Sequence, residues 1–448
     1  MGDARQSVAA KLAPAISTML GDQLPVRFRF WDDSVLGSNE AATTLHVRSP
    51  LALRYLIYAP GELGLARAYV SGALDLEGDV YTALSLRDHL RRATMRPSVA
   101  ELVRAGLATR AIGLPPPPPR EEVRLSGGRH SKARDAAAIS YHYDISNAFY
   151  RLVLGETMTY SCAFFTRPGA SLDDAQRAKY ELVCRKLALR PGARLLDIGC
   201  GWGGMVLHAA EHFGVEAVGI TLSKEQASLA TSRVERAGLA GKVAIRLQDY
   251  RDIDDGPYDA ICSIGMFEHV GVERLREYFQ AIYRLLRPQA RVLNHGISRP
   301  NGALGRAHFT RRSFVERYVF PDGELHEVGA VASLMQSCGL EVRDVECLRE
   351  HYAQTLRCWV ANLEANWDEA VQLVGAPRAR IWRLYMAASA LNFAANRTSI
   401  HQVLAVRTGP DGSSAMAPTR AEFFAEAELS ELKARARTSP PIPAIPQG

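Results

Sequence analysis

The chain is short of the features that mark extracellular, membrane-spanning or metal-bound proteins. Its seven cysteines in 448 residues are scattered and odd in number, with no CxxC pair. A disulfide framework or a zinc knuckle is therefore not expected, and a reducing cytoplasm fits better. No run of about 18 apolar residues is present to cross a bilayer. The opening MGDARQSVAAKLAP has no basic region followed by an apolar one, so no secretory signal is expected there. Gly2 lacks the Ser or Thr at position six that myristoylation prefers. No Lys-Ser or Lys-Thr pair follows a glycine turn, which excludes a P-loop. No [ND]PP[YF] motif points to an amino-nitrogen target, and no basic and aromatic stripe offers bases a stacking platform. Nucleic acid is not expected as a partner, no metal ligand set stands out, and there is no internal repeat.

What is present describes an ordinary globular chain, 47% hydrophobic and 23% charged, with a net charge of +6. Its length suggests two or three domains, and the charge permits an anionic partner such as a membrane surface. Between Arg87 and Arg134 stand eleven Lys and Arg against four acids. A solvated linker accounts for such a run. The sharper reading is contact with anionic lipid, at about 1 kcal/mol per basic residue near the surface. Pro115 to Pro119 form a stiff extended spacer, which places a linker at 113–135. Before it, residues 1–112 read as a small α+β domain. TTLHVRS and YLIYAPG are predicted as strands, and GELGLARAYVSGALDLEGDVYTALSLRDHLRRA as helix, turn and helix. From 136 to 409, strand and helix patterns alternate, which predicts an α/β domain with a parallel sheet covered by helices on both faces. Ligands on such sheets bind beyond the carboxyl ends of the strands. The periodicity breaks at 299–328, an expected lid or substrate wall. Residues 410–448, ending SPPIPAIPQG, are predicted to be disordered.

One stretch carries chemistry. RLLDIGCGWGGM, Arg194 to Met205, runs from an apolar strand into a turn with Asp197, Gly199, Gly201 and Gly203. The spacing departs from the GxGxxG of dinucleotide sites. An acid at the strand end repels phosphate and suits an ammonium group. A ligand with an α-amino group and an adenosine but no pyrophosphate is S-adenosylmethionine. GITLSKEQ ends the next strand, where Ser223 or Gln226 is placed to bond ribose hydroxyls. LQDYRD ends the third, where Asp249 and Tyr250 suit an adenine amine and ring. SIGMFEHVG ends the fourth, and MTYSC lies upstream.

Together YHYDISNAFYRLVLGETMTYSCAFF, LLDIGCGWGG, GITLSKEQ, QDYRDIDDGPYDAICSIGMFEHVG, YVFPDGELH and HYAQTLRCW resemble the cyclopropane fatty acid synthase family, in order over residues 136 to about 405. GLARAYVSGALDLEGDV also resembles the N-terminal lipid-contacting domain of its longer members. The resemblance implies a class I methyltransferase sheet of Rossmann-like type and methyl transfer from S-adenosylmethionine to a cis double bond of an acyl chain. It implies cofactor contacts by Tyr143, Tyr160, Ser161, Gly199, Gly201, Thr221, Leu222, Gln226 and Tyr250. It also implies bicarbonate as the base, held at Cys162, Glu268, His295, Ile297 and Tyr352, an ion that the C-10 methyltransferase branch is able to lack. Overall likeness is nearest the actinobacterial C-10 methyltransferases of the tuberculostearic acid pathway, which would make an oleoyl phospholipid the substrate and a 10-methylene chain the product. A separate reductase would complete the saturated chain. The resemblance further implies a homodimer through the N-terminal domain and a peripheral place on the inner face of the membrane.

The chemistry needs these residue types. An alkene attacking a sulfonium methyl must be held in line. The carbocation left behind needs π-rich or negative neighbours, a dry wall and a base. Glu268 would orient a small anion through a shared proton, with His295 and Tyr352 donating. Loss of a proton from the new methyl is expected to close a cyclopropane, and loss from the adjacent carbon to leave a methylene branch. Ring closure is therefore the alternative outcome. Plain structural roles compete at each position: a helix-start acid for Glu268, a core histidine for His295, and packing for Cys162 and Tyr352. Methylation of RNA or of a small metabolite, or a non-catalytic lipid-binding protein, are the remaining readings.

Overall fold

The computed structural model describes residues 7–21, 24–92, 99–123, 134–135, 141, 143, 145–300, 313–321 and 323–424. Two sheets organise them. The first is built from β1 (Arg27–Phe30), β2 (Val35–Leu36), β3 (Thr43–Val47) and β4 (Leu74–Gly78), in the order β2-β1-β3-β4. The second contains β5 (Arg194–Ile198), β6 (Glu216–Thr221), β7 (Val243–Leu247), β8 (Tyr258–Ile264), β9 (Leu286–Ser298), β10 (Glu341–Cys347) and β11 (Ser399–Val406). Their order is β10-β11-β9-β8-β5-β6-β7.

In the second sheet β9-β8-β5-β6-β7 pair in parallel. β11 runs antiparallel to both β9 and β10. The strand and helix alternation predicts a parallel sheet; the structure departs from it at β10 and β11. Central strands buried on both faces read as continuous apolar runs, as in β5, where Leu195 to Ile198 are all buried. β10 does not: this edge strand carries Glu341, Arg343, Asp344 and Glu346, of which only Asp344 is buried.

Two readings of the N-terminal region are corrected. YLIYAPG is not a strand: Pro50–Tyr58 is a helix. Proline occupies its first turn, where the missing N–H costs nothing. The predicted helix-turn-helix contains the strand β4, paired with β3 from Thr43↔Gly78 to Val47↔Leu74. Alternating Leu74, Leu76 and polar residues carry that strand.

The proline-rich segment is strapped down and is not a free spacer. Tyr55 donates to the carbonyl of Pro117 at 2.9 Å, and Tyr58 to that of Gly113. Arg67 makes a two-pronged pair with Glu122, both contacts 2.9 Å. The basic residues Arg124, Arg129 and Lys132 lie outside the described residues, as do 301–312 of the expected lid and 425–448 of the expected tail. The remainder of the lid segment contains a short helix, Phe314–Tyr318. Disorder beginning at 410 is not what the structure holds. Residues Arg420–Phe423 form a turn in which Phe423 is buried under Lys186, and Arg291 pairs with Glu422. The buried ring and the ion pairs Arg291–Glu422 and Arg420–Asp344 oppose the entropy of that stretch.

The long helix Ala376–Ala394 joins the two sheets. Its Arg383 reaches Glu364 at 2.6 Å and the Tyr69 hydroxyl and Gly78 carbonyl at 3.3 Å each. Arg380 pairs with Asp75 of β4 at 3.2 Å. The other side of the same helix puts Trp382 and Tyr385 into the largest apolar core.

Candidate active site

The glycine turn leaves β5 and starts the helix Gly204–Phe213. Gly199, Gly201 and Gly203 all have positive φ, at 86°, 54° and 81°, conformations that L side chains rarely adopt. Gly204 has an ordinary φ but no room, because a Cβ there would overlap the Tyr180 hydroxyl. The turn therefore brings bare backbone to the mouth of a cleft of about 1110 Å³, solvent-open part included. Small-molecule sites are typically roughly 300–1,000 Å³.

Most of the expected cofactor residues line this cleft: Tyr143, Tyr160, Ser161, Asp197, Gly199, Gly201, Thr221, Leu222, Gln226, Asp249 and Tyr250. Gly203 and Ser223 do not. Gly203 packs towards Ala230. The Ser223 hydroxyl accepts the Gln226 N–H at 3.1 Å and so caps the helix Lys224–Arg236, a use Ser serves well. Thr221 donates to Gln226 Oε1 at 2.7 Å, leaving the amide nitrogen of Gln226 as its donor towards the cleft. The Asp249 carboxylate is gripped by Arg251 at 2.8 and 2.6 Å.

Asp197 is buried at the end of β5. Burial pushes its carboxyl up to about 6, against the Cys262 thiol, which donates to it at 3.3 Å, and the nearby Lys179 ammonium. Lys179 is 1% exposed, and burial lowers it to about 8. Its Nζ donates to Ser161 Oγ at 3.1 Å and lies 4.2 Å from the Tyr180 ring centroid. Lys179 and Arg251 both line the cleft, and neither was singled out from the sequence. The signal for Lys179 was available. Gln176, Lys179, Val183 and Lys186 follow helical spacing and are all buried on one face of Leu172–Lys186. Polar residues on an apolar stripe call for a partner.

An aromatic wall stands behind the cleft. Tyr160 stacks on Trp359 at 5.2 Å, and Tyr143 meets Tyr160 edge-on at 6.0 Å. Tyr150 and Trp382 pack against the same Tyr160 ring. Gln176 holds the segment in place through the carbonyls of Thr159 and Ser161, at 3.3 and 2.9 Å.

Four of the five residues expected around the base meet this wall: Cys162, Ile297 and Tyr352 pack in its core and Glu268 acts on Tyr143 and Tyr352, while His295 lies two residues before Ile297 on β9, towards Lys179 and Lys186. Glu268 sits in the turn Phe267–His269 after β8. Its Oε1 accepts the Ile297 N–H at 2.6 Å, while Oε2 is buried with no hydrogen-bond partner among the described residues. Ile297 thus contributes to the site by fixing Glu268. Burial raises the Glu268 carboxyl to about 7. Burial also pushes the Tyr352 hydroxyl well up, and Cys162 and Glu268 act on it electrostatically in the same direction. The Cys162 thiol donates to the carbonyls of Ala163 and Leu348, and burial raises it far above a reactive range. It is a neutral wall group. His295 is buried on β9, with Nδ1 3.4 Å from the Gln402 amide and Nε2 without a partner among the described residues. Burial, then Lys179 and Lys186, hold its pKa well below the usual value. The Lys179 charge bears on Cys162 too, which places both residues on one side of the site.

The family profile described as Mycolic acid cyclopropane synthetase matches residues 130–403. A probable fatty acid methyltransferase of Mycobacterium tuberculosis is 44% identical over 405 residues, covering 88% of this chain and 94% of that protein. The tuberculostearic acid methyltransferase UfaA1 of the same organism is 33% identical over 90% of this chain and 93% of its own length. Among solved structures, the mycolic acid cyclopropane synthase CmaA1 complexed with S-adenosylhomocysteine and CTAB superposes with a TM-score of 0.57. It is 34% identical, over 60% of this chain and 98% of that one.

Proposed function

Because this chain belongs to the mycolic acid cyclopropane synthetase family, and is an S-adenosylmethionine-dependent methyltransferase, we propose that it methylates the cis double bond of an oleoyl chain in phospholipid and releases a 10-methylene product. The observation that carries the acyl-chain chemistry is a buried carboxylate oxygen, Glu268 Oε2, close to Tyr143 of the aromatic wall and without a partner among the described residues, together with a buried imidazole nitrogen, His295 Nε2, equally without one. S-adenosylmethionine supplies an electrophilic methyl, and the alkene π pair forms the new C–C bond as the C–S bond breaks. Tyr143, Tyr160 and Trp359 present π faces to the resulting cation and keep water out. Two unpaired polar atoms, one an acceptor and one on an imidazole, fit a small anion that carries a proton. Bicarbonate held by Glu268, His295 and Tyr352 would supply the base.

Atom balance changes the criterion expected from the sequence. Both products lose a proton from the new methyl group. If it leaves while the cation is on the neighbouring carbon, the ring closes. If a hydride first shifts from the methyl-bearing carbon to the cation, the same loss leaves an exocyclic methylene. One base site therefore serves both outcomes, and the lifetime of the cation decides between them. The C-10 outcome is favoured by two relatives that span both sheets of this chain and are named as fatty acid and tuberculostearic acid methyltransferases. The test is expression in a host without such an enzyme, followed by mild hydrogenation and fragmentation of the lipids. A species reduced to a 10-methyl chain is expected. A species that resists hydrogenation would make ring closure the reaction. A methylene product also requires a two-electron reductase if the chain is to become saturated.

The substrate would be met at a membrane surface. No helix among the described residues is long and apolar enough to cross a bilayer. Instead Leu107, Ile112 and Leu114 are 62%, 44% and 82% exposed and lie beside the exposed Ile57 and Tyr58. Arg54 reaches the Leu114 carbonyl, and Arg104 and Arg110 lie on the same segment. Burying a leucine in lipid is worth roughly 1.5–3 kcal/mol. The double substitution Leu107→Glu/Leu114→Glu is therefore expected to lower partitioning onto anionic vesicles by at least about 10²-fold, with cofactor affinity unchanged. Sedimentation with vesicles of about one-third anionic lipid reads this out, and unchanged partitioning would remove the patch from the proposal.

A further inference from the structure

We propose that Lys186 and Gln402 form a relay that fixes the tautomer of His295, so that the proton on its neutral ring sits on Nε2 and is available to an anion in the pocket of Cys162, Glu268 and Tyr352. The inference deepens the site reading above and rests on it for its role in the reaction.

Lys186 ends the helix Leu172–Lys186 and is 1% exposed. Its Nζ contacts Glu346 Oε2 at 2.5 Å, Asp344 Oδ2 at 3.4 Å and Gln402 Oε1 at 2.9 Å. An ammonium group has donors only, so the Gln402 atom that faces it must be the carbonyl oxygen. The other end of that amide is then the NH2 group, and it faces His295 Nδ1 at 3.4 Å. Register makes this meeting obligatory, because Gln402 on β11 is the direct partner of His295 on β9. Directly opposed residues present their side chains to the same face of a sheet. An NH2 group can only donate, so Nδ1 must hold its lone pair. A neutral imidazole has one N–H, and it is left on Nε2.

The consequence falls on the base site. In the opposite tautomer Nε2 would present a lone pair, and a lone pair repels a carboxylate or bicarbonate oxygen. With the relay in place, Nε2 is a buried donor with no other partner among the described residues, and Glu268 Oε2, in the turn after the neighbouring strand β8, is an unpartnered acceptor. Lys186 and Gln402 touch neither substrate nor cofactor in this scheme. They are positioning residues acting through His295.

The test is long-range proton–nitrogen correlation on the full chain labelled with nitrogen-15 histidine, with His295 identified by the signals lost in His295→Asn. The Nε2–H tautomer is expected at neutral pH. In Gln402→Glu, one carboxylate oxygen pairs with Lys186 and the other accepts from Nδ1–H. The ring should become the Nδ1–H tautomer or the imidazolium, and kcat should fall by roughly 10- to 100-fold while the KM for S-adenosylmethionine holds. A wild-type ring already in the Nδ1–H form overturns the relay, and so does a Gln402→Glu ring that keeps Nε2–H. The wild-type spectrum decides the matter even if that variant does not fold. A ring that switches tautomer with kcat unchanged leaves the relay standing and removes His295 from the proposed chemistry.

Discussion

Glu268→Gln is expected to lose activity by about 10³-fold, the range of a removed acid–base group, while gaining stability above neutral pH. The two effects share one cause. Burial raises the carboxyl from 4.5 to about 7, so the folded protein prefers it protonated. Its favourable contribution is complete below the unfolded value of 4.5 and is lost as pH rises through about 7. Between those limits the cost of ionising it in place reaches about 3 kcal/mol. Gln is neutral at every pH, and its side-chain oxygen can still accept the Ile297 N–H. Thermal unfolding of the unliganded variant should therefore match the parent in mild acid and exceed it above neutrality. Methyl transfer from labelled cofactor to lipid measures the activity. In the parent enzyme the same ionisation gives kcat/KM an acid limb centred near 7. A variant with full activity, or one destabilised at high pH, would show that Glu268 is only a turn residue.

The second large effect is expected at Gly204. Its φ is ordinary, so Gly204→Ala tests space and not backbone conformation. The added Cβ would overlap the Tyr180 hydroxyl, which itself bonds Thr159. Tyr180 belongs to a buried face with little slack, and overpacking of this kind costs about 1–3 kcal/mol. Relief comes only by moving the glycine turn or the Thr159–Ser161 segment, and both line the cofactor cleft. Cofactor affinity should fall by about 10²-fold, measured by calorimetry with S-adenosylhomocysteine. Gly241→Ala, with open space around its Cβ position, is the control and should bind normally.

The sequence was most informative where a single residue type is demanded. The turn from Asp197 to Gly203 was legible because only glycine tolerates those backbone angles, and the central strands because a strand covered on both faces must be apolar throughout. Legibility failed where tertiary partners decide. Tyr55 to Tyr58 have the composition of a strand, yet Pro50 starts a helix whose tyrosines tie down the proline segment. β4 hides between two helices because only its pairing with β3 makes it a strand. Helical spacing marks Lys179 and Lys186 as buried, but what each of them serves, and the role of Gln402, is not in the local pattern. A buried lysine is unremarkable in a helix until the acceptor that it serves, 18 residues away for Ser161 and 216 for Gln402, is brought beside it.

Arg383 sets a limit on how this enzyme can be cut or recombined. Its buried guanidinium is satisfied from two distant parts of the chain at once, by Glu364 of the helix Arg349–Ala365 and by Tyr69 and Gly78 of the amino-terminal part. A truncation that removes residues 1–112 would strip a desolvated cation of two of its acceptors, next to the Trp382 and Tyr385 rings of the largest apolar core. The amino-terminal portion is thus not a detachable accessory. Chimaeras that swap it between relatives should work only when the arginine and its acceptors travel together.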